Sequence, residues 1–213
     1  MFSEKFHVAF RFAFEAHGKQ KRKGTETPYI AHPMAVASLV IEHGGSEAVA
    51  IAALLHDVVE DTKVTAAEVE STFGSEVAVL VAAVTSPPVN WKKDYGTDEK
   101  IQEALNAFRT KYFEKIRGAS SDIQTLSACD KLHNARGILE DLRNARDNVG
   151  EGKKPEEVAQ LVMTVWNRFR GKRGNTIWYY SNISKVYSES ESPTVRQLGR
   201  SLARVVEDME KDF

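Results

Sequence analysis

Six side chains in this sequence have the types and spacing that metal-assisted hydrolysis requires: His32, the doublet His56-Asp57, Asp130, and the acidic pair Glu60 and Asp61. Two imidazoles with two carboxylates make a mixed nitrogen and oxygen shell. Such a shell suits Mn²⁺ or Fe²⁺, with Zn²⁺ less favoured, and leaves positions for water and a phosphate oxygen. Along a helix, His56 and Glu60, like Asp57 and Asp61, stand four residues apart on neighbouring parts of one surface. That spacing sets two further carboxylates beside the ion, where either can take a proton from a bound water or only orient it. Taken singly, each feature has a plainer reading: His-Asp dipeptides occur by chance, acidic pairs at helix ends are mostly solvated, and Asp130 has Lys131 beside it. The ensemble carries the weight.

The elements that must position these residues are helices, because the apolar residues recur mostly at helical spacing. Ser3 can cap a helix presenting Phe6, Phe10, Ala13 and Phe14 on one face. Pro33 suits the first position of a second helix, which Glu42-His-Gly-Gly45 closes. Behind Ser46, the stretch Val49 to Leu55 is apolar nearly all round, which predicts a central helix running into His56-Asp57. Thr65 with Glu68 forms a capping-box pattern for a short helix ending near Gly74, Ser75 can cap the next, and Pro87-Pro88 stops it. The chain then reads as a loop from Val89 to Gly96 and a helix from about Asp98 to Arg117. Ser120 or Ser121 caps a helix carrying Leu126, Cys129, Asp130, Leu132, His133 and Asn134. Asn148 to Lys154 reads as a flexible connector, Pro155 opens a further helix, and Ser192-Pro193 starts the last one. The expectation is an all-α, single-domain bundle of roughly eight to ten helices over residues 1–213.

Composition narrows the function classes. A chain of 213 residues can bury a sizeable core without staples, and its single cysteine cannot form an internal disulfide. The amino-terminal residues lack the pattern of a secretory signal, so a reducing, cytoplasmic setting is expected. The apolar run Val77 to Val84 falls far short of the ~20 residues needed to span a bilayer. With 29 Lys+Arg against 30 Asp+Glu, no membrane partner and no dedicated nucleic-acid partner is expected, since phosphate contacts normally leave a basic excess.

Four motifs together resemble the hydrolase domain of RelA/SpoT-type enzymes: Tyr29-Ile-Ala-His-Pro33; Ala52-Ala-Leu-Leu-His-Asp-Val-Val-Glu-Asp-Thr62; Phe73-Gly-Ser-Glu-Val77 with Val84-Thr85; and Asp130-Lys-Leu-His-Asn134 with Arg136. They occur in the family's order within about residues 6 to 140, with a helical carboxy-terminal extension over about 155–213. At this length the chain looks like a stand-alone small alarmone hydrolase without synthetase and regulatory domains. The resemblance implies an HD-domain helical bundle that removes the 3′-pyrophosphate from guanosine tetra- and pentaphosphate, giving GDP or GTP and pyrophosphate. It makes His32, His56, Asp57 and Asp130 the ligands of one metal, usually Mn²⁺, and Glu60 and Asp61 the catalytic acidic pair. It places Asn134 near the nucleotide, Arg22 and Lys23 in the loop that meets base and phosphates, and Arg136 at a family basic position.

The sequence also departs from the family. Ser127-Ala-Cys-Asp130 stands where members commonly read Lys-Leu-Ala-Asp, and the loop from Arg22 to Pro28 differs in length from that of the long enzymes. Adenosine 3′-pyrophosphates are therefore an alternative substrate, another HD-type nucleotidase or phosphodiesterase an alternative enzyme, and a nucleotide-binding sensor the non-enzymatic alternative. The basic run Lys19 to Lys23 favours substrate over nucleic acid, and Cys129 reads as packing, not as a nucleophile. In the carboxy-terminal third, Trp166, Phe169, Trp178, Tyr179 and Tyr180 alternate with basic residues. They read as core with a basic rim; RNA contact, one wall of the nucleotide pocket or a homo-oligomer surface are the other readings.

Overall fold

A computed structural model of the chain describes residues 2–147 and 155–212. Among them are twelve helices, and the only β pairing is an isolated bridge between Lys21 and Pro28. Ten helices have eight or more residues: α1 (Glu4–His17), α2 (Ala31–Glu42), α3 (Glu47–Leu55), α5 (Ala66–Phe73), α6 (Ser75–Val84), α8 (Asp98–Arg117), α9 (Ser121–Asp147), α10 (Pro155–Asn167), α11 (Lys172–Ser188) and α12 (Pro193–Asp212). The other two, α4 (Val58–Asp61) and α7 (Trp91–Tyr95), are single turns. The all-α expectation holds among the described residues. The connector expected at Asn148 to Lys154 lies outside the described residues.

The chain divides into two compact units, Met1–Asn90 with Gly118–Asp130 and Trp91–Arg117 with Lys131–Phe213. In the first, α3 is central: every residue from Val49 to Leu55 is buried, and the helix packs on α1, α2 and α6. Ser46 caps it by accepting the Val49 amide. The Thr65–Glu68 capping box forms, with both reciprocal hydrogen bonds present. Gly74, not Ser75, occupies the cap of α6, at φ 86°, a conformation that costs glycine little.

Two local expectations change. On α1 the buried stripe is Ala9, Ala13 and His17, while Phe10 and Phe14 are 38% and 54% exposed. Small residues let α1 approach α3 closely, and the phenylalanine stripe one position away is turned outward. Pro33 is the third residue of α2, not the first, because Ala31 and His32 already bond back to Pro28 and Tyr29. Its missing N–H still falls among the first-turn amides that have no intrahelical partner, and His32 is thereby built into the rigid first turn.

In the second unit α11 packs on α8, α10 and α12. Trp166, Tyr180 and Tyr187 are buried, and Phe113 contacts Trp178 and Tyr179. The basic residues lie around them: Arg168 pairs with Asp141 at 2.6 Å, and Arg170 stacks over Trp91. The segment 91–95, expected as loop, is the single turn α7, held on α8 by Trp91 against Phe108. Among the described residues no helix is long and apolar enough to cross a membrane.

Candidate metal centre

Four ligand-type side chains from three places in the chain converge in the first unit. His32 comes from the first turn of α2, His56 and Asp57 from the junction of α3 and α4, and Asp130 from α9. The helix predicted to run into His56-Asp57 does so, ending just before the doublet. α3 ends at Leu55, both residues form a turn, and α4 restarts at Val58, with the Asp61 amide still bonded to the Asp57 carbonyl at 2.8 Å. Both residues keep right-handed helical backbone angles, with Asp57 the more open at φ −99°, ψ −6°.

The atoms that would face an ion lie close together. His32 Nε2 is 3.2 Å from His56 Nε2 and 3.2 Å from Asp130 Oδ1. Asp57 Oδ2 is 3.0 Å from His56 Nε2 and 3.5 Å from His32 Nε2, and Asp130 Oδ1 is 3.6 Å from His56 Nε2. Ligand atoms about 2.1 Å from a first-row ion sit about 3.0 Å apart at right angles and about 3.4 Å apart at tetrahedral angles. The observed spacings fit this range. His32, His56 and Asp130 form a buried group able to hold a metal ion, and Asp57 stands at the edge of the same group, 18% exposed.

Local hydrogen bonding prepares this set. His56 Nδ1 donates to the Ala53 carbonyl at 2.8 Å, which leaves the Nε2 lone pair facing the centre. Burial alone would push the His56 imidazole down, yet Asp57 and Asp130 hold it well above its ordinary range. Burial would likewise push the Asp57 carboxyl up, but His56 and His32 hold it well below the usual carboxylate range. The centre therefore holds positive charge firmly, as a proton or as a cation.

Asp57 is also tied outward. The Tyr29 hydroxyl donates to Asp57 Oδ2 at 2.6 Å and lies 3.0 Å from Asp61 Oδ2. Burial, then the two carboxylates, push the Tyr29 phenol far up, so it stays a donor. Partial burial and Asp57 push the Asp61 carboxyl up, against the Tyr29 hydroxyl. Glu60, the other member of the acidic pair, is exposed and accepts the Ser86 amide at 2.8 Å.

Of the expected substrate residues, Arg22 lies over the Tyr29 ring, 5.7 Å from its centroid, and Lys23 is exposed in the same loop. Asn134 and Arg136 follow Asp130 on α9, where the chain has passed into the second unit; Asn134 is half-buried and Arg136 exposed. Cys129, the one cysteine, is fully buried. Tyr29, Gln20 and His17 are the residues that sequence reasoning passed over. Tyr29 opens the Tyr29-Ile-Ala-His-Pro33 motif, three residues before His32, but is given no role of its own there.

Comparison with known proteins gives concordant matches. The HD domain family model matches residues 9–176. The chain is 34% identical over 166 residues to guanosine-3′,5′-bis(diphosphate) 3′-pyrophosphohydrolase MESH1 of Xenopus tropicalis, a match covering 76% of this chain and 83% of that protein. It is 38% identical over 130 residues to a probable guanosine-3′,5′-bis(diphosphate) 3′-pyrophosphohydrolase of Synechocystis, covering 61% of this chain but only 16% of that longer protein. A solved structure of a metazoan ortholog of SpoT, described as hydrolysing ppGpp and acting in starvation responses, aligns with a TM-score of 0.52 at 28% identity. The alignment covers 88% of this chain and 96% of that one.

Proposed function

The chain belongs to the HD-domain family, and from that premise we propose that it is a metal-dependent nucleotide 3′-pyrophosphohydrolase acting on guanosine 3′,5′-bisdiphosphate and its pentaphosphate counterpart. The observation that carries the reading is the buried His32, His56 and Asp130 group with Asp57 at its edge, 3.0–3.6 Å between facing atoms, next to Asp61. The frog and metazoan relatives named for this reaction support the choice of substrate.

Release of intact pyrophosphate adds a water oxygen to the phosphorus next to the 3′-oxygen, breaks that phosphorus–oxygen bond, and delivers a proton to the 3′-oxygen. We assign the divalent ion as Mn²⁺, from the mixed imidazole and carboxylate donors; when bound it supplies Lewis acidity toward a phosphoryl oxygen and lowers the pKa of water. His32, His56, Asp57 and Asp130 would hold it. We assign Asp61, beside Asp57, to take a proton from the attacking water or to orient that water, with Glu60 as the other member of the acidic pair. Arg22 and Lys23 supply positive charge toward the phosphates, and the planar Arg22 guanidinium suits stacking on a purine. Asn134 and Arg136 are proposed as further nucleotide contacts.

The test is incubation of the purified protein and Mn²⁺ with guanosine and adenosine 3′,5′-bisdiphosphates, with products separated by mass. Pyrophosphate with GDP is expected, and pyrophosphate with ADP alone would move the assignment to adenosine. Monophosphate release, or no turnover of either, would overturn the reaction.

A further inference from the structure

The acidic residue Asp61 is held at two points by the two residues that close the neck of the basic loop. Gln20 Nε2 donates to the Asp61 main-chain carbonyl at 3.0 Å, and the Tyr29 hydroxyl lies 3.0 Å from Asp61 Oδ2. Gln20 and Tyr29 face each other across the chain: the Tyr29 amide donates to the Gln20 carbonyl at 2.8 Å, and Lys21 bridges to Pro28 just inside them. The loop that this neck encloses carries Arg22 and Lys23, and is braced by the Arg22 amide on the Thr27 carbonyl at 2.9 Å and by the Lys21–Glu26 ion pair.

The orientation of Gln20 follows from counting donors. The Asp61 carbonyl only accepts, so the Gln20 amide nitrogen must face it, and Gln20 Oε1 then faces His17 Nδ1 at 2.7 Å. His17 must therefore donate from Nδ1. It is 4% exposed, packs at a tilt against Tyr29 with ring centroids 4.6 Å apart, and is anchored in the buried stripe of α1. A rigid helix thus fixes His17, His17 fixes the Gln20 amide, and Gln20 fixes the backbone of Asp61, while the single Tyr29 hydroxyl proton is shared between the Asp61 carboxylate and metal-ligand candidate Asp57.

We propose that Gln20 and Tyr29 are positioning residues for Asp61, so that the substrate-facing loop and the acidic residue are held as one unit. This rests on the reading of Asp61 as a residue of the hydrolytic reaction. Neither side chain needs to touch substrate. Gln20 acts through Asp61, and Tyr29 through Asp61 together with the neighbouring Asp57; placement of Asp61 by a fraction of an ångström decides whether a water is held in line for attack.

Gln20→Leu and Tyr29→Phe remove the two bonds while keeping volume. For each variant, manganese stoichiometry is measured by calorimetry, kcat is expressed per bound manganese so that misfolded protein drops out, and amide hydrogen exchange is followed over residues 57–62. The expected result is a kcat lower by about 10–100-fold with KM within about twofold, and faster exchange confined to that segment in Gln20→Leu. Gln20→Glu, which offers no amide donor to the carbonyl, should behave like the leucine variant. Wild-type kcat per bound metal in both variants, or unchanged exchange in Gln20→Leu, would overturn the proposal. If wild-type protein releases no pyrophosphate, the reaction assigned above is wrong, and the exchange measurement alone then decides for or against the Gln20 clamp.

Discussion

The Nε2 atoms of His32 and His56 face each other at 3.2 Å in a pocket where both residues are almost fully buried. Two imidazole lone pairs at that distance repel unless a proton or a cation lies between them, and Asp57 and Asp130 close the remaining sides with negative charge. The centre is thus suited to hold a positive charge, and a metal bound there would add to the stability of the first unit.

Metal binding should therefore raise the melting temperature. At a free Mn²⁺ concentration of about 100 times Kd, linkage gives about 2.7 kcal/mol of stabilisation, read as a shift in differential scanning calorimetry and reversed by a chelator. Asp130→Asn, which keeps shape and removes the charge, should weaken Mn²⁺ binding by more than about 100-fold. Retained affinity in this variant would remove Asp130 from the ligand set.

The same charges set a pH dependence. In metal-free protein His56, faced by His32, Asp57 and Asp130, has a raised pKa, so its contribution to stability is full below the unfolded value of about 6.5 and fades as pH rises through the folded value. Asp57 has a lowered pKa, so its contribution is present above about pH 3.9 and is lost as pH falls through its folded value. Metal binding must displace the His56 proton. The melting-temperature gain from Mn²⁺ is therefore expected to grow between about pH 6 and pH 8; a gain that is flat or shrinking over that range would contradict the assignment.

Arg22 stacks on Tyr29 at the edge of the loop and is the residue assigned to the purine. Arg22→Ala should raise KM about tenfold with a smaller change in kcat. Arg22→Lys should restore little of the loss, because an ammonium lacks the planar face. Steady-state kinetics on guanosine 3′,5′-bisdiphosphate separates these effects.

Gly199 on α12 lies against the end of α11. A Cβ there would sit 2.6 Å from the Ser188 amide nitrogen and 2.9 Å from the Tyr187 carbonyl carbon, both backbone atoms. Gly199→Ala should cost about 1–3 kcal/mol, seen as a lower urea midpoint with an unchanged slope. An unchanged midpoint would show that the helices separate freely at this crossing.

The sequence by itself determined the helical class and the chemical character of the centre. Helical periodicity, the caps at Ser46 and Thr65 and the all-apolar run Val49 to Leu55 are local signals, and the helices they announce are present. The residue types at 32, 56, 57 and 130 likewise announced a mixed imidazole and carboxylate shell. Tertiary structure decided what depends on distance across the chain. Whether α1 buries phenylalanines or alanines depends on how closely α3 approaches, and spacing along one helix does not encode that approach. The roles of Gln20 and Tyr29 emerged only when the loop neck and α4, 32 to 41 residues apart in sequence, met at Asp61.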